Sequence, residues 1–161
     1  MIRRVDPKDA SAICDIYNHY VINTVISFEE QPVSVIEMEK RIRDTVARYP
    51  WLVLEEGEEI IGYAYANKFR ERSAYRFSSE VSIYLKTGRT GKGLGTLLFS
   101  RLIDETKNIG THALLSSITL PNERSVAIHE KFGFEKAAHF KEVGFKFGKW
   151  NDVGYWELIF K

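Results

Sequence analysis

The chain has 161 residues, of which 44% are hydrophobic and 28% charged, and its formal net charge is +1. This length suits one domain with a sizeable core. The near-neutral charge provides no overall field to attract nucleic acid or an acidic membrane. The single cysteine, Cys14, excludes an internal disulfide and a cysteine-based zinc site, and no metal site is expected.

The predicted elements begin with a strand over residues 2–5, closed by Asp6 and Pro7, a pair typical of a helix start. Two helices and a strand pair turning at Gly57 follow. The later elements are a strand over 80–85, a helix from 96 to about 109, a strand over 112–120, a short helix and two strands. This order, β-α-α-β-β-β-α-β-α-β-β, predicts one α/β domain over residues 1–161, an α+β mixed sheet with helices on both faces.

The N-terminus has no apolar stretch of the kind found in a signal peptide. No segment approaches the length of a membrane-spanning helix, so we expect no membrane association. These features predict a cytoplasmic protein.

A glycine-rich turn joins the strand that ends near residue 85 to the following helix. Its three glycines are spaced by two: Gly91, Gly93 and Gly95. A Walker loop needs Gly-Lys-Ser/Thr, and a dinucleotide fingerprint needs G-x-G-x-x-G with a later acid; neither pattern fits. Glycine amides at a helix N-terminus converge on a phosphate, and Arg89 and Lys92 add positive charge here. The alternative is a plain strand-to-helix connection.

The segment EVSIYLKTGRTGKGLGT resembles the acetyl-coenzyme A (acetyl-CoA) pyrophosphate loop of GNAT acetyltransferases, and the order of elements is also theirs. LPNERSVAIHEKFGFE resembles the second signature of that family. With IYNHYVINTVISFEEQPVS and VGFKFGKWNDVGYW, these segments look like the phosphinothricin and methionine sulfone/sulfoximine N-acetyltransferase subgroup. One departure is Thr90, which stands at the Gln/Arg position of the loop pattern, with Arg89 one place earlier.

The resemblance implies that the backbone of the strand pairs with the pantetheine arm, and that the loop holds the diphosphate. The implied cofactor-binding residues are Ile83, Tyr84, Leu85, Arg89, Thr90, Gly91, Lys92, Gly93, Leu94, Gly95, Thr96, Asn122 and Ser125. For Asn122 and Ser125 the alternative is helix capping.

Acetyl transfer to an amine needs a group that removes the amine proton and a group that protonates the leaving thiolate. The resemblance implies Glu80 and His129 as the catalytic residues, and it leaves open which is base and which is acid. The matching glutamate is the proposed base of the subgroup, and His129 stands where most GNAT enzymes carry a tyrosine. The alternatives are a solvated acid at a strand end for Glu80 and a structural histidine for His129.

The segment KFRERSAYRF is rich in cations, and guanidinium groups match carboxylate and phosphinate oxygens. The resemblance implies that Arg70, Arg72 and Tyr75 bind an acceptor amino acid and that Phe28 and Val143 line its site. A solvated basic loop is the alternative.

The implied activity is transfer of acetyl from acetyl-CoA to the α-amine of a small glutamate-like amino acid, by direct attack in a ternary complex. A homodimer is expected from the same resemblance. The competing hypotheses are a GNAT enzyme acting on another amine, such as a protein N-terminus, lysine or polyamine, and a non-catalytic acyl-CoA-binding module.

Overall fold

The computed structural model describes residues 1–161 and contains four α-helices and a seven-stranded sheet. The helices are α1 (Ala10–Asn23), α2 (Val35–Val46), α3 (Leu94–Asn108) and α4 (Glu123–Lys131). The strands are β1 (Ile2–Arg4), β2 (Trp51–Glu56), β3 (Glu59–Lys68), β4 (Ser78–Leu85), β5 (Ala113–Leu120), β6 (Glu135–Lys146) and β7 (Lys149–Ile159). The predicted order of elements is confirmed.

The sheet has the strand order β1-β2-β3-β4-β5-β7-β6, and all neighbours are antiparallel except β4 and β5. The parallel pairing of β4 with β5 covers Ser78–Glu80 against Ala113–Leu115 and then stops, although both strands continue for five more residues to Leu85 and Leu120. The sheet is therefore split in its middle, with Glu80 at the closed end of the gap.

The sheet is covered on both faces, as predicted. Successive residues of a strand point to opposite faces, and alternate residues of β2 belong to two separate hydrophobic clusters. Leu52 and Leu54 pack in the cluster that contains Phe99 of α3, whereas Trp51 and Val53 pack with α1 and α2. None of the helices is long and apolar enough to cross a membrane.

Lys146 fixes the connection between α1 and α2 to the far edge of the sheet. It lies at the end of β6, is only 2% exposed, and donates hydrogen bonds of 2.7 Å from Nζ to the carbonyl oxygens of Val21 and Ser27. Nearby, a Cβ atom at Gly144 would overlap the ring of Phe28. The connection that contains Ser27 and Phe28 is thus held closely against β6.

Candidate active site

Two cavities open beside the gap between β4 and β5. The first, of about 400 Å³, lies between β4, the glycine turn and α4. The second, of about 720 Å³, lies between the α1–α2 connection, β5 and the β6–β7 hairpin. Ile26 and Tyr84 belong to the walls of both, so the two cavities adjoin each other.

Most of the predicted cofactor-binding residues line the first cavity. These residues are Ile83, Tyr84, Leu85, Thr90, Gly91, Gly93, Gly95, Thr96, Asn122 and Ser125. The others, Arg89, Lys92 and Leu94, are not part of its wall.

The glycine turn has a backbone that needs glycine. Gly91 and Gly93 have φ angles of 91° and 75°, in the left-handed region that other residues avoid. At Gly95 glycine is needed for packing, because a Cβ atom there would lie only 3.2 Å from Leu85 Cδ1. The absence of a side chain lets α3 approach β4 closely. Gly93 is the N-cap of α3, and no side chain caps the helix there. The first amides of α3 are therefore available to an anion.

Arg89 does not line this cavity, and its predicted contact with the cofactor stays a prediction. Its guanidinium pairs with Glu56 at 2.6 Å and Glu59 at 3.0 Å, at the turn between β2 and β3. The cations in the wall are Arg124 and Lys131 of α4. Sequence reasoning missed both.

Arg124 bridges the mouth of the first cavity, because its Nη1 donates a 2.8 Å hydrogen bond to Thr90 Oγ1. The spacing of Arg124, Ile128 and Lys131 is i, i+4, i+7, which places them on one helix face, and this signal was available in the sequence. Asn122 caps α4 by accepting a 3.2 Å hydrogen bond from Ser125 N. The Asn122 side chain therefore acts as a helix cap, which was the alternative expected from the sequence.

The second cavity contains Phe28, Arg70 and Val143 among its lining residues. Arg72 and Tyr75 do not line it; with Arg70 they border a separate recess on the β3–β4 loop. The predicted cluster of acceptor-binding residues is therefore divided, and Arg70 is the member of its cationic group that reaches the second cavity.

Arg70 has no carboxylate partner in the chain. Its guanidinium instead lies 5.0 Å from the ring centroid of Phe69. An unpaired guanidinium at a cavity wall is suited to a carboxylate ligand.

Glu80 lies at the closed end of the gap and is half-buried. Its Oε1 accepts a 2.8 Å hydrogen bond from Ser117 Oγ, and Ser117 lines the second cavity. Tyr155 lines the same cavity, and burial together with the nearby Glu80 carboxylate raises the pKa of this tyrosine. The wall of the second cavity thus has a hydroxyl and a protonated phenol, and Ser117 links this wall to the Glu80 carboxylate.

Glu29 also lines the second cavity, and sequence reasoning missed it. Arg41 donates to both of its carboxylate oxygens, at 2.9 and 2.7 Å, and the Tyr17 hydroxyl donates to Oε2. The Arg41 guanidinium lowers the pKa of Glu29, so the carboxylate is charged at neutral pH. Burial raises the pKa of Tyr17, which keeps its hydroxyl protonated as the donor.

His129 is 2% exposed and lines neither cavity. Its ring packs edge-to-face against Phe99 and Phe134, with centroids 4.8 and 5.2 Å away. Nδ1 lies 2.6 Å from the Ser125 carbonyl oxygen, to which it must donate, and the buried Nε2 has no partner. These surroundings fit the structural alternative, and a catalytic role for His129 stays a prediction.

We expect the buried state of His129 to make the fold sensitive to acid. Burial lowers its pKa from the ordinary value of 6.5, so below pH 6.5 the unfolded chain binds a proton more readily than the folded chain. The free energy of unfolding therefore falls as pH drops through 6.5 toward the lower folded pKa. Urea unfolding at about pH 7.5 and about pH 5.5 measures this fall.

Between the two pH values, the free energy of unfolding should fall less in the His129→Leu variant than in the native protein. The difference between the two falls should be up to about 1 kcal/mol. His112→Leu, at an exposed histidine, is the matched control and should behave like the native protein. Equal falls in the native protein and His129→Leu would contradict the expectation.

Several proteins of similar sequence are acetyltransferases. Phosphinothricin N-acetyltransferase of Streptomyces viridochromogenes is 33% identical over 160 residues, which cover 99% of this chain and 87% of that protein. L-methionine sulfoximine/L-methionine sulfone acetyltransferase of Salmonella typhimurium is 37% identical over 161 residues, covering 98% and 92%.

Solved structures agree with this relationship. A crystal structure named ribosomal-protein-alanine N-acetyltransferase, from Brucella melitensis, superposes with a TM-score of 0.97 at 33% identity, covering 99% of both chains. The acetyltransferase yncA of Salmonella typhimurium, solved with acetyl-CoA, gives 0.96 at 35% identity, covering 99% of this chain and 92% of that one. The acetyltransferase (GNAT) domain family matches residues 2–154. This chain belongs to the GNAT acetyltransferase family.

Proposed function

We propose that this chain transfers acetyl from acetyl-CoA to the α-amine of a small glutamate-like amino acid, of the phosphinothricin, methionine sulfone or methionine sulfoximine type. The observation that carries the proposal is the meeting of two cavities beside the split in the sheet, with the Glu80 carboxylate at its closed end. Relatives with these named activities, 33% and 37% identical over nearly the whole chain, support the choice of acceptor.

The first cavity fits acetyl-CoA. Its β4 edge is unpaired beyond Glu80, so backbone groups of Ile83–Leu85 are placed to bond an extended ligand as a neighbouring strand would. The amides at the start of α3 suit the diphosphate, and Arg124 and Lys131 supply positive charge. Acetyl-CoA itself supplies the activated thioester, so the protein needs no nucleophile of its own.

The second cavity fits the acceptor amino acid. Arg70 would bind a carboxylate of the acceptor, and this contact holds the amine near Glu80. The Glu80 carboxylate, held by Ser117, accepts a proton from the amine. The amine nitrogen then bonds to the acetyl carbon as the carbon–sulfur bond breaks, and the second proton that this nitrogen loses passes to the departing thiolate, which leaves as the thiol. We assign His129 to positioning α4, through the packing of its ring against Phe99 and Phe134.

We expect Glu80→Gln to lower kcat by about 10²- to 10⁴-fold, because a carboxamide cannot accept the amine proton. Thiol release with methionine sulfone as acceptor measures kcat, and calorimetry with acetyl-CoA should give an unchanged Kd. Glu71→Gln, at an exposed acid paired with Lys68, is the control and should keep full activity. Full activity in Glu80→Gln would exclude the proposed base, and no turnover of any amino acid by native protein that binds acetyl-CoA would exclude the acceptor class.

The two arginines near the glycine turn should differ in their effect on cofactor binding. Arg124→Ala removes a cation from the wall of the first cavity, and we expect Kd for acetyl-CoA to rise about tenfold. Arg89→Ala should leave this Kd nearly unchanged, because the Arg89 guanidinium already forms ion pairs with Glu56 and Glu59. Calorimetry on both variants measures the difference; the opposite order would show that Arg89 turns toward the ligand.

We propose that two chains associate through the β6–β7 hairpin. β6 is an edge strand, and the hairpin exposes several large apolar side chains: Phe140, Val143, Phe145, Phe147 and Trp150. A cluster of this kind on an edge strand is typical of a protein interface.

Sedimentation equilibrium of the native protein should give about twice the chain mass of 18.6 kDa. Trp150→Glu should give the monomer mass, because it puts a charge into the interface. Ile36→Glu, at an apolar residue of α2 that is 80% exposed and lies outside the hairpin, should remain dimeric. A monomeric native protein would exclude the interface.

We also propose that the protein acts in the cytoplasm. Cys14 is buried in α1 as a free thiol, with its sulfur 3.7 Å from the Val33 carbonyl oxygen. A fold that uses no disulfide suits a reducing compartment.

A further inference from the structure

The second cavity has an unusual pair of charges for a site that would take a glutamate-like amino acid. Its charged lining residues are Arg70 and Glu29, one cation and one anion. Arg72, which the sequence placed with Arg70, borders the separate recess instead. The cavity therefore offers one free guanidinium to an anionic ligand and presents one carboxylate to the same ligand.

Glu29 lines the cavity, whereas Arg41, the cation of its ion pair, does not. Arg41 binds both oxygens of Glu29 but is not a residue of the cavity wall. The Tyr17 hydroxyl donates to the same group, and Ser27 Oγ lies 2.8 Å from that hydroxyl. These partners fix Glu29 in place while its side chain stays 36% exposed.

An amino acid acceptor brings one carboxylate in every case, and Arg70 matches it. A second negative group, at the end of the acceptor side chain, would find no free cation in the cavity wall. It would also meet the Glu29 carboxylate in a partly enclosed space, where repulsion between like charges is stronger than in water. A neutral polar group at the same place avoids this repulsion, and an N–H group there gains an acceptor.

We propose that Glu29 makes this enzyme selective for amino acids whose side chain ends in a neutral polar group, such as methionine sulfone and methionine sulfoximine, over those whose side chain ends in an anion, such as phosphinothricin and glutamate. This inference rests on the proposed function and narrows its substrate class.

Methionine sulfone and phosphinothricin form a closely matched pair of probes. Both carry a methyl group and two oxygens on a tetrahedral atom at the same position of the side chain. That atom is sulfur in a neutral sulfone and phosphorus in an anionic phosphinate, so the two acceptors differ mainly in one charge. Glutamine and glutamate form a second pair with nearly equal shapes.

The test is kcat/KM for each acceptor at saturating acetyl-CoA, in the native protein and two variants. We expect the native protein to favour methionine sulfone over phosphinothricin by at least about tenfold. Glu29→Gln keeps the shape of the side chain and should reduce this ratio at least about fivefold. Glu37→Gln is the matched control, because Glu37 binds the same Arg41, at 3.1 Å from Nε, but does not line the cavity. It should leave the ratio unchanged.

Equal or better use of phosphinothricin by the native protein would overturn the inference, as would equal changes of the ratio in the two variants. If Glu29→Gln does not fold, the native protein still decides, because higher salt screens the repulsion and should lower the preference for glutamine over glutamate. A preference that salt does not change would count against Glu29. Failure of every acceptor with protein that binds acetyl-CoA is a separate result, which would exclude the proposed function itself.

Discussion

The site depends on one feature of the sheet: β4 and β5 stop pairing before either strand ends. Three residue pairs hold the two halves of the sheet together, and beyond Glu80 the edges of both strands are free of each other. Both strands are parallel here, so the glycine turn after β4 and the start of α4 after β5 lie at the same end of the gap. The backbone of a strand, the amides of one helix and the cations of another thus meet around a single opening.

The two cavities are built in different ways. The first depends on backbone geometry, since glycine is needed at Gly91 and Gly93 for their φ angles and at Gly95 for close packing. The second depends on side chains from distant segments, including Glu29 after α1 and Arg70 before β4. Lys146 fixes the segment that contains Glu29, because its buried ammonium holds the connection after α1 against β6.

This difference explains what could be predicted from the sequence. The element order, the mixed sheet and the glycine turn follow from local patterns that a chain carries in adjacent residues. The ion pairs of Arg89 could not be predicted in this way, because its partners, Glu56 and Glu59, are some thirty residues away and become neighbours through the pairing of β3 with β4. Glu29 could not be predicted for the same reason, since its position in a cavity wall depends on contacts between residues that are distant in the sequence. The burial of His129 likewise comes from Phe99 and Phe134, on other segments.

Ile26 and Tyr84 each belong to the walls of both cavities, and this shared wall has a thermodynamic consequence. A shift of either side chain on occupation of one cavity changes the shape of the other. Linkage requires any such coupling to be reciprocal: the factor by which one substrate changes the affinity for the second equals the factor by which the second changes the affinity for the first. The order in which the two substrates arrive is therefore set by their concentrations and rates, and the energy of the ternary complex is the same by either route.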